Sequence, residues 1–279
     1  MTSIETLVPE RLWQAIQPLL PVPAPRYGGR PRVDDRAAFA GIVYQLRTGV
    51  PWRLLPTREL GCGSPVTCWR RLRDWQRAGV WQRLHQVLLD QLSRDGRLDW
   101  SRASLDSLSV RAKAGGCLTG PNPTDRGKAG SKYHLLVERG GIPLAVGLSA
   151  ANTHDSVLLE AMVDSVAPVK GPRGRPGRPR RRPAKLHCDK GYDYPRCRRA
   201  LRRRGIIPRI ARRGLESSQR LGRHRFVVER SLAWLVGYRR LQVRYERRPD
   251  ILTAFLHLAC ALICLKEPHH STVTKPVGS

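Results

Sequence analysis

Through about the first ninety residues, apolar positions recur at helical spacing. In "PERLWQAIQPLL" a proline opens the segment and Leu12, Ala15, Ile16 and Leu19 form one stripe. "YGGRPRVDD" then reads as a linker, and "DDRAAFAGIVYQLRTG" places Phe39, Ile42, Val43 and Leu46 on one face, with Gly49 as the stop. "GSPVTCWRRLRDWQRAG" offers Ser64 as N-cap, Pro65 at the first helical position and Gly79 as terminator. Its apolar Val66, Trp69 and Leu72 predict the inner face, with Arg70, Arg71 and Arg73 fanning outward. "VWQRLHQVLLDQL" adds an amphipathic helix through Val80, Leu84, Val87 and Leu88. Helix, turn and basic helix in succession fit a helix-turn-helix DNA reader, the alternative being a plain bundle with a solvated arginine face.

From Leu98 onward the pattern shortens. "SRASLDSLSVRAK", "KYHLLVE", "IPLAVGLSA", "AKLHCD" and "GIIPRI" are β-branched or alternating runs between turn signals and predict strands. "DSVLLEAMVDSV" and "PRCRRALRRRG" predict helices among them, so this part reads as an α/β mixed sheet. In "RFVVERSLAWLVGYRR", Leu232, Ala233 and Val236 follow Glu229 by three, four and seven residues, which predicts that the glutamate turns toward the core. "ILTAFLHLACALICL" is shorter than the roughly 20 residues of a spanning helix and predicts a core helix.

Charge narrows the partners. Lysine and arginine total 51 against 22 acids, a formal net charge of +29, which points to a polyanion and first to nucleic acid. "KGPRGRPGRPRRRP" holds no apolar residue to bury; its Arg175 and Arg178 suit a narrow minor groove or a solvated basic linker. "MTSIETLVPE" carries neither a basic n-region nor a long apolar run, so a cytoplasmic, nucleoid-associated protein with no membrane partner is expected. The seven cysteines are scattered and predict buried thiols, not zinc ligands.

Against so few acids, those at strand ends and on buried faces stand out. Asp106 lies within a predicted strand, with Leu108 and Val110 on its side. Asp189 ends another strand, where ligands of open α/β sheets gather. Glu229 supplies a third carboxylate. Three such groups brought together repel unless divalent cations hold them, and hard oxygen donors select Mg²⁺ or Mn²⁺. Each also has a bland reading: Asp106 as a turn cap, Asp189 as the start of "DKGYD", and Glu229 paired with Arg225 one turn earlier.

At these residues the chain resembles the bacterial insertion-sequence transposases of the DDE type, in the insertion-sequence-five-like group. The resemblance covers nearly the whole chain, through "LVPERLWQAIQPLLP", "GVPWRLLP", "LDSLSVRAK", "GKAGSKYHLLVERGGIPLAVGLSAANTHDS", "HCDKGYDYPRCRRALRRRGIIP" and "RFVVERSLAWLVGYRRLQVRYER". It implies a helical, helix-turn-helix-like DNA-binding domain over 1–95, a ribonuclease-H-like catalytic domain over 96–266 with a basic loop at 170–183, and a flexible tail over 267–279. It further implies that Asp106, Asp189 and Glu229 are the catalytic, metal-binding acids, working with two Mg²⁺ or Mn²⁺ ions. The implied activity is nicking at terminal inverted repeats of double-stranded DNA and joining of the freed 3′-hydroxyl to target DNA, by a homo-oligomer. Arg225 matches the arginine of the motif around the glutamate, whereas Val236 stands where some relatives have lysine, leaving Arg239 and Arg240 as candidate replacements. Lys128, Lys132 and Lys190 are candidate phosphate contacts, and Asn152, His154 and Asp155 of "ANTHD" are supporting candidates. The competing class is a non-catalytic DNA-binding repressor or architectural protein.

Overall fold

In a computed structural model of the chain, residues 3–22, 28, 31–172, 177–212, 214 and 218–266 are described, with backbone alone over 218–225. Five helices come first: α1 (Ile4–Leu7), α2 (Glu10–Ile16), α3 (Asp35–Thr48), α4 (Pro65–Arg77) and α5 (Val80–Arg94). Their ends follow the local chemistry. The Asp34 carboxylate accepts from Ala37 N at 2.8 Å and the Ser64 hydroxyl from Thr67 N at 3.1 Å, while Gly49 closes α3 at φ 68°.

The inner face of α4 differs from the one its sequence suggests. Cys68, Leu72 and Trp75 are buried, whereas Val66 is 55% exposed and Trp69 half-buried. A repeat of every three residues slips about 60° per step around an α-helix, so Val66, Trp69 and Leu72 walk off any one face. Trp75 anchors the true face: its ring lies 5.6 Å from Trp81 and 6.3 Å from Phe39.

The second half is built on β1 (Ala103–Arg111), β2 (Gly120–Pro121), β3 (Ala129–Glu138), β4 (Pro143–Ala150), β5 (Lys185–Cys188) and β6 (Ile207–Ile210). Around them run α6 (Leu159–Asp164), α7 (Pro195–Arg203), α8 (Ser218–Gly237), α9 (Arg239–Gln242) and α10 (Pro249–Lys266). The longer strands are ordered β4-β3-β1-β5-β6, with β3 antiparallel to both neighbours and β1, β5 and β6 parallel. This mixed sheet flanked by helices is the ribonuclease-H-like arrangement, preceded here by the all-helical region.

One apolar core runs through both halves. Its axle is α10, which packs against α4, α5, α8 and β4. By length and composition α10 passes for a membrane span, yet 67% of it is buried inside the fold, as a core helix requires. Six of the seven cysteines are buried free thiols, and Cys117 is exposed.

A second binding device is internal. Arg244, 0% exposed, donates to the carbonyls of Cys117, Leu118, Glu246 and Arg247 and to the Ser131 hydroxyl at 2.7–3.2 Å. A buried guanidinium is tolerable only when its donors are met, and here they stitch the segment after α9 to the loop preceding β3.

Candidate active site

The parallel pairing of β1 and β5 sets the geometry. Ala103 lies opposite Leu186 and Ser104 opposite His187. Asp106 lies two residues past the last pair on β1 and Asp189 directly follows β5, so the two half-buried aspartates leave the pairing at the same end of neighbouring strands. Asp106 Oδ1 accepts from Ser107 N at 2.8 Å. Asp189 Oδ1 accepts from Gly191 N at 2.9 Å and caps the single 3₁₀ turn Lys190–Tyr192.

Tyr192, which sequence reasoning passed over inside "DKGYD", reports on this neighbourhood. Its ring is buried and its hydroxyl meets no hydrogen-bond partner among the described residues. Burial first, then the electrostatic influence of Cys188, Asp155, Asp106 and Asp189, pushes its pKa well above the ordinary value. Asp155 therefore belongs to the same acidic neighbourhood as the two strand aspartates. Its 3₁₀ turn, Asp155–Val157, packs directly on the Lys190–Tyr192 turn.

Lys132 on β3 ties that loop down, donating to Asp155 Oδ1 at 3.0 Å and to the Thr153 carbonyl at 2.9 Å. The Ser156 backbone donates to His154 Nδ1, and the His154 ring meets Tyr194 edge-on at 5.5 Å. Asn152 is exposed and lies over Gly120, where an added Cβ would fall 2.1 Å from its Oδ1. Of the "ANTHD" residues, Asp155 shares the neighbourhood of Tyr192 with the two aspartates.

Glu229 does not face the core. The buried stripe of α8 is Val228, Ser231, Leu232 and Leu235, spaced as one helical face, and Glu229 sits 100° round from Val228 on the exposed side with Ala233. The helix lies against β1, β3 and β5, and the Ser231 hydroxyl anchors it by donating to the Gly141 carbonyl at 2.6 Å. Among the described residues no three His, Cys, Asp or Glu side chains are gathered closely enough to hold a metal ion. The aspartate pair is the part brought together, and its carboxylate oxygens suit a hard divalent cation.

The fully buried acids serve the fold instead. Asp90 accepts from Lys170 N at 2.8 Å, and Glu138 caps the β3–β4 turn through Ile142 N while its other oxygen accepts from Asp99 N, ahead of β1. Glu246 pairs with Arg240 at 2.7 Å, with the Arg240 guanidinium 5.1 Å from the Tyr245 ring. Arg240 is 8% exposed, so its charge is used inside the fold and not on a DNA-facing surface, whereas Arg239 is exposed.

Of the other candidate cations, Arg70, Lys128, Arg178 and Lys190 are exposed. Lys128 also pairs with Asp125 at 3.7 Å. Arg71 is half-buried on Asp35 at 2.9 Å, and Arg73 joins Asp74 at 2.8 Å. Arg175 lies outside the described residues, as does the side chain of Arg225.

The sheet order and its flanking helices define a ribonuclease-H-like fold. The family model "Transposase DDE domain" matches residues 101–264, and "Putative transposase of IS4/5 family" matches 8–85. The chain belongs to this family: it is a DDE transposase of the IS4/IS5 type, a divalent-metal-dependent enzyme acting on DNA. It is 51% identical over 146 residues to the "Putative transposase for insertion sequence element IS402" of Burkholderia cepacia, covering 52% of this chain and 68% of that one. It is 52% identical over 120 residues to the "Insertion element IS402 uncharacterized 16.2 kDa protein" of the same organism, covering 42% and 81%. The piggyBac transposase in its synaptic complex with hairpin DNA superposes at a TM-score of 0.49 and 10% identity, over 92% of this chain and 72% of that one.

Proposed function

We propose that Asp106, Asp189 and Glu229 together hold two Mg²⁺ or Mn²⁺ ions and that the chain nicks its element's terminal inverted repeats, then joins the freed 3′-hydroxyl to target DNA. Bound divalent ions supply activation of the attacking oxygen and stabilisation of the leaving one. The observation that carries the reading is the parallel β1–β5 pairing in a chain of the DDE family, which supports Asp106 and Asp189 as neighbours at one end of the two strands. The packing of α8 on those same two strands supports Glu229 as the third arm.

The remaining residues divide by task. Lys132 holds Asp155 and so fixes the wall behind the aspartates. Lys128, Lys190, Arg178 and Arg239 contact phosphates on the catalytic side, while the helical region over 1–95, with Arg70 outermost, reads the terminal repeat. Paired repeats call for a homo-oligomer when the two ends are brought together, and DNA as the partner places the protein in the cytoplasm with the nucleoid.

The test is nicking of a duplex bearing the element's end in the presence of Mg²⁺. Asp106→Asn abolishes nicking while duplex binding survives. Equal nicking by both proteins overturns the assignment, and absence of nicking by the wild type with intact binding favours a repressor.

A further inference from the structure

The turn between β3 and β4 is tied down on two sides. Gly141 N donates to the Glu138 carbonyl at 3.0 Å. The Glu138 carboxylate, on a residue 1% exposed, accepts from Ile142 N at 3.0 Å through one oxygen and from Asp99 N at 3.1 Å through the other. Arg139 adds an ion pair with Asp99 at 2.9 Å. The turn is thereby fixed to the segment that leads into β1, the strand carrying Asp106.

The same turn receives α8. Two consecutive helix residues take its carbonyls: Arg230 donates to Gly140, and the Ser231 hydroxyl donates to Gly141 at 2.6 Å. Glycine makes so close an approach possible. Gly141 stands at φ 101°, and a Cβ there would fall 2.8 Å from Ser231 Oγ and 3.0 Å from a terminal nitrogen of Arg230. A Cβ on Gly140 would fall 2.8 Å from Glu138 Oε1. Ser231 Oγ also lies 2.9 Å from the Val227 carbonyl, so the contact grips the one turn of α8 that contains Glu229.

Glu229 immediately precedes the gripping pair. Apolar packing holds α8 against β1, β3 and β5, but such packing is non-directional. Hydrogen bonds to a fixed turn are directional and set where along its axis the helix stops. That matters because a misplacement of about 1 Å can cost about a hundredfold in rate.

We propose that Arg230 and Ser231 are positioning residues: through the carbonyls of Gly140 and Gly141 they set Glu229 in one frame with Asp106. The β3–β4 turn is then the common reference for two arms of the metal site. The inference rests on the reading of Glu229 as a metal-binding arm. Ser231 is the cleaner probe, because it is 0% exposed and acts on DNA and ion only through the helix.

The experiment uses the full chain with Mn²⁺ as the probe. Bound ion is read from the electron paramagnetic resonance of the free ion, which requires no turnover, and nicking, duplex binding and the urea midpoint are measured alongside. Ser231→Ala and Arg230→Ala should each weaken Mn²⁺ binding about tenfold and slow nicking by about ten- to a hundredfold. Ser231→Ala keeps its duplex affinity, and Arg230→Lys, which retains a donor for Gly140, recovers most of the Arg230→Ala loss. In a Glu229→Gln background Ser231→Ala should change Mn²⁺ affinity no further, because the arm it positions is gone. Should Ser231→Ala fail to fold, the half-buried Arg230 decides by the same readings.

A pair that serves only the fold lowers the urea midpoint and leaves Mn²⁺ affinity at the wild-type value, and that result overturns the proposal. An equal loss from Ser231→Ala with and without Glu229 also overturns it. If Glu229→Gln binds Mn²⁺ like wild type, the reading beneath fails and the proposal falls with it. Weak Mn²⁺ binding by Glu229→Gln, with wild-type binding by Ser231→Ala and Arg230→Ala, overturns the proposal alone.

Discussion

Two buried histidines make the protein's stability acid-sensitive well above the range where carboxylates titrate. His85, 4% exposed, contacts the Pro143 carbonyl through Nε2 at 2.8 Å, and His134, 0% exposed, meets the Ser149 hydroxyl at 2.8 Å. Burial, the leading cause for both, lowers each pKa to about 4. In the unfolded chain a histidine titrates near 6.5. The neutral form is the one the fold accepts, so the stability it contributes is full above pH 6.5 and is lost as pH falls from there toward 4. At pH 5 the unfolded state gains about 2 kcal/mol per histidine by protonation, while the folded state gains almost nothing, so the pair costs about 4 kcal/mol. Against a typical domain stability of roughly 5–15 kcal/mol, that is a large fraction. Urea unfolding followed by circular dichroism at pH 7 and pH 5 measures it. His85→Gln and His134→Gln should each remove about 2 kcal/mol of the loss, a comparison that cancels His257, whose pKa burial lowers to about 3, and titrating acids such as Glu138, whose pKa burial raises. The same loss in wild type and in the double variant would refute the reasoning.

Arg244→Ala removes the donor to the Cys117 carbonyl, while the Leu118 carbonyl keeps the Ser131 hydroxyl, and should cost about 3 kcal/mol, seen as a lower urea midpoint, with Arg244→Met no better because the Cys117 acceptor stays unmet. Gly49→Ala should cost about 1–2 kcal/mol, since Gly49 has φ 68° and a Cβ there falls 3.1 Å from the backbone of Arg239. Ser64→Ala removes the bond to Thr67 N and should lose about 1 kcal/mol in the same assay, with Ser64→Asp retaining most of it.

The helix ends, the strands and the core helix were legible because their signals are local. Ser64, Pro65 and Gly49 act at their own positions, and the apolar run of α10 needs no knowledge of its neighbours to look buried. Faces were harder. Val66 and Glu229 each lie beside apolar residues at helical spacing, yet the packing partner decides which stripe turns inward, and Trp75 and Val228 lead the stripes that do. Arg244 was invisible for another reason: in a chain with 51 lysines and arginines, a buried guanidinium has the same letter as the solvated ones. The adjacency of Asp106 and Asp189 depends on a parallel crossover between strands 83 residues apart, counted from the pairing of Ala103 with Leu186, and spacing alone carries no such contact. Asp155, a supporting candidate by resemblance, joins the acidic neighbourhood through the same long-range folding.

The most direct test of the account is Glu229 itself, exposed on α8. Nicking of the element-end duplex should be titrated with Mg²⁺ for wild type and Glu229→Gln, with duplex binding measured alongside. If Glu229 completes the metal site, the variant binds DNA like wild type and loses at least about a hundredfold in nicking rate, with a higher Mg²⁺ requirement. Wild-type nicking at wild-type Mg²⁺ by Glu229→Gln would contradict the assignment.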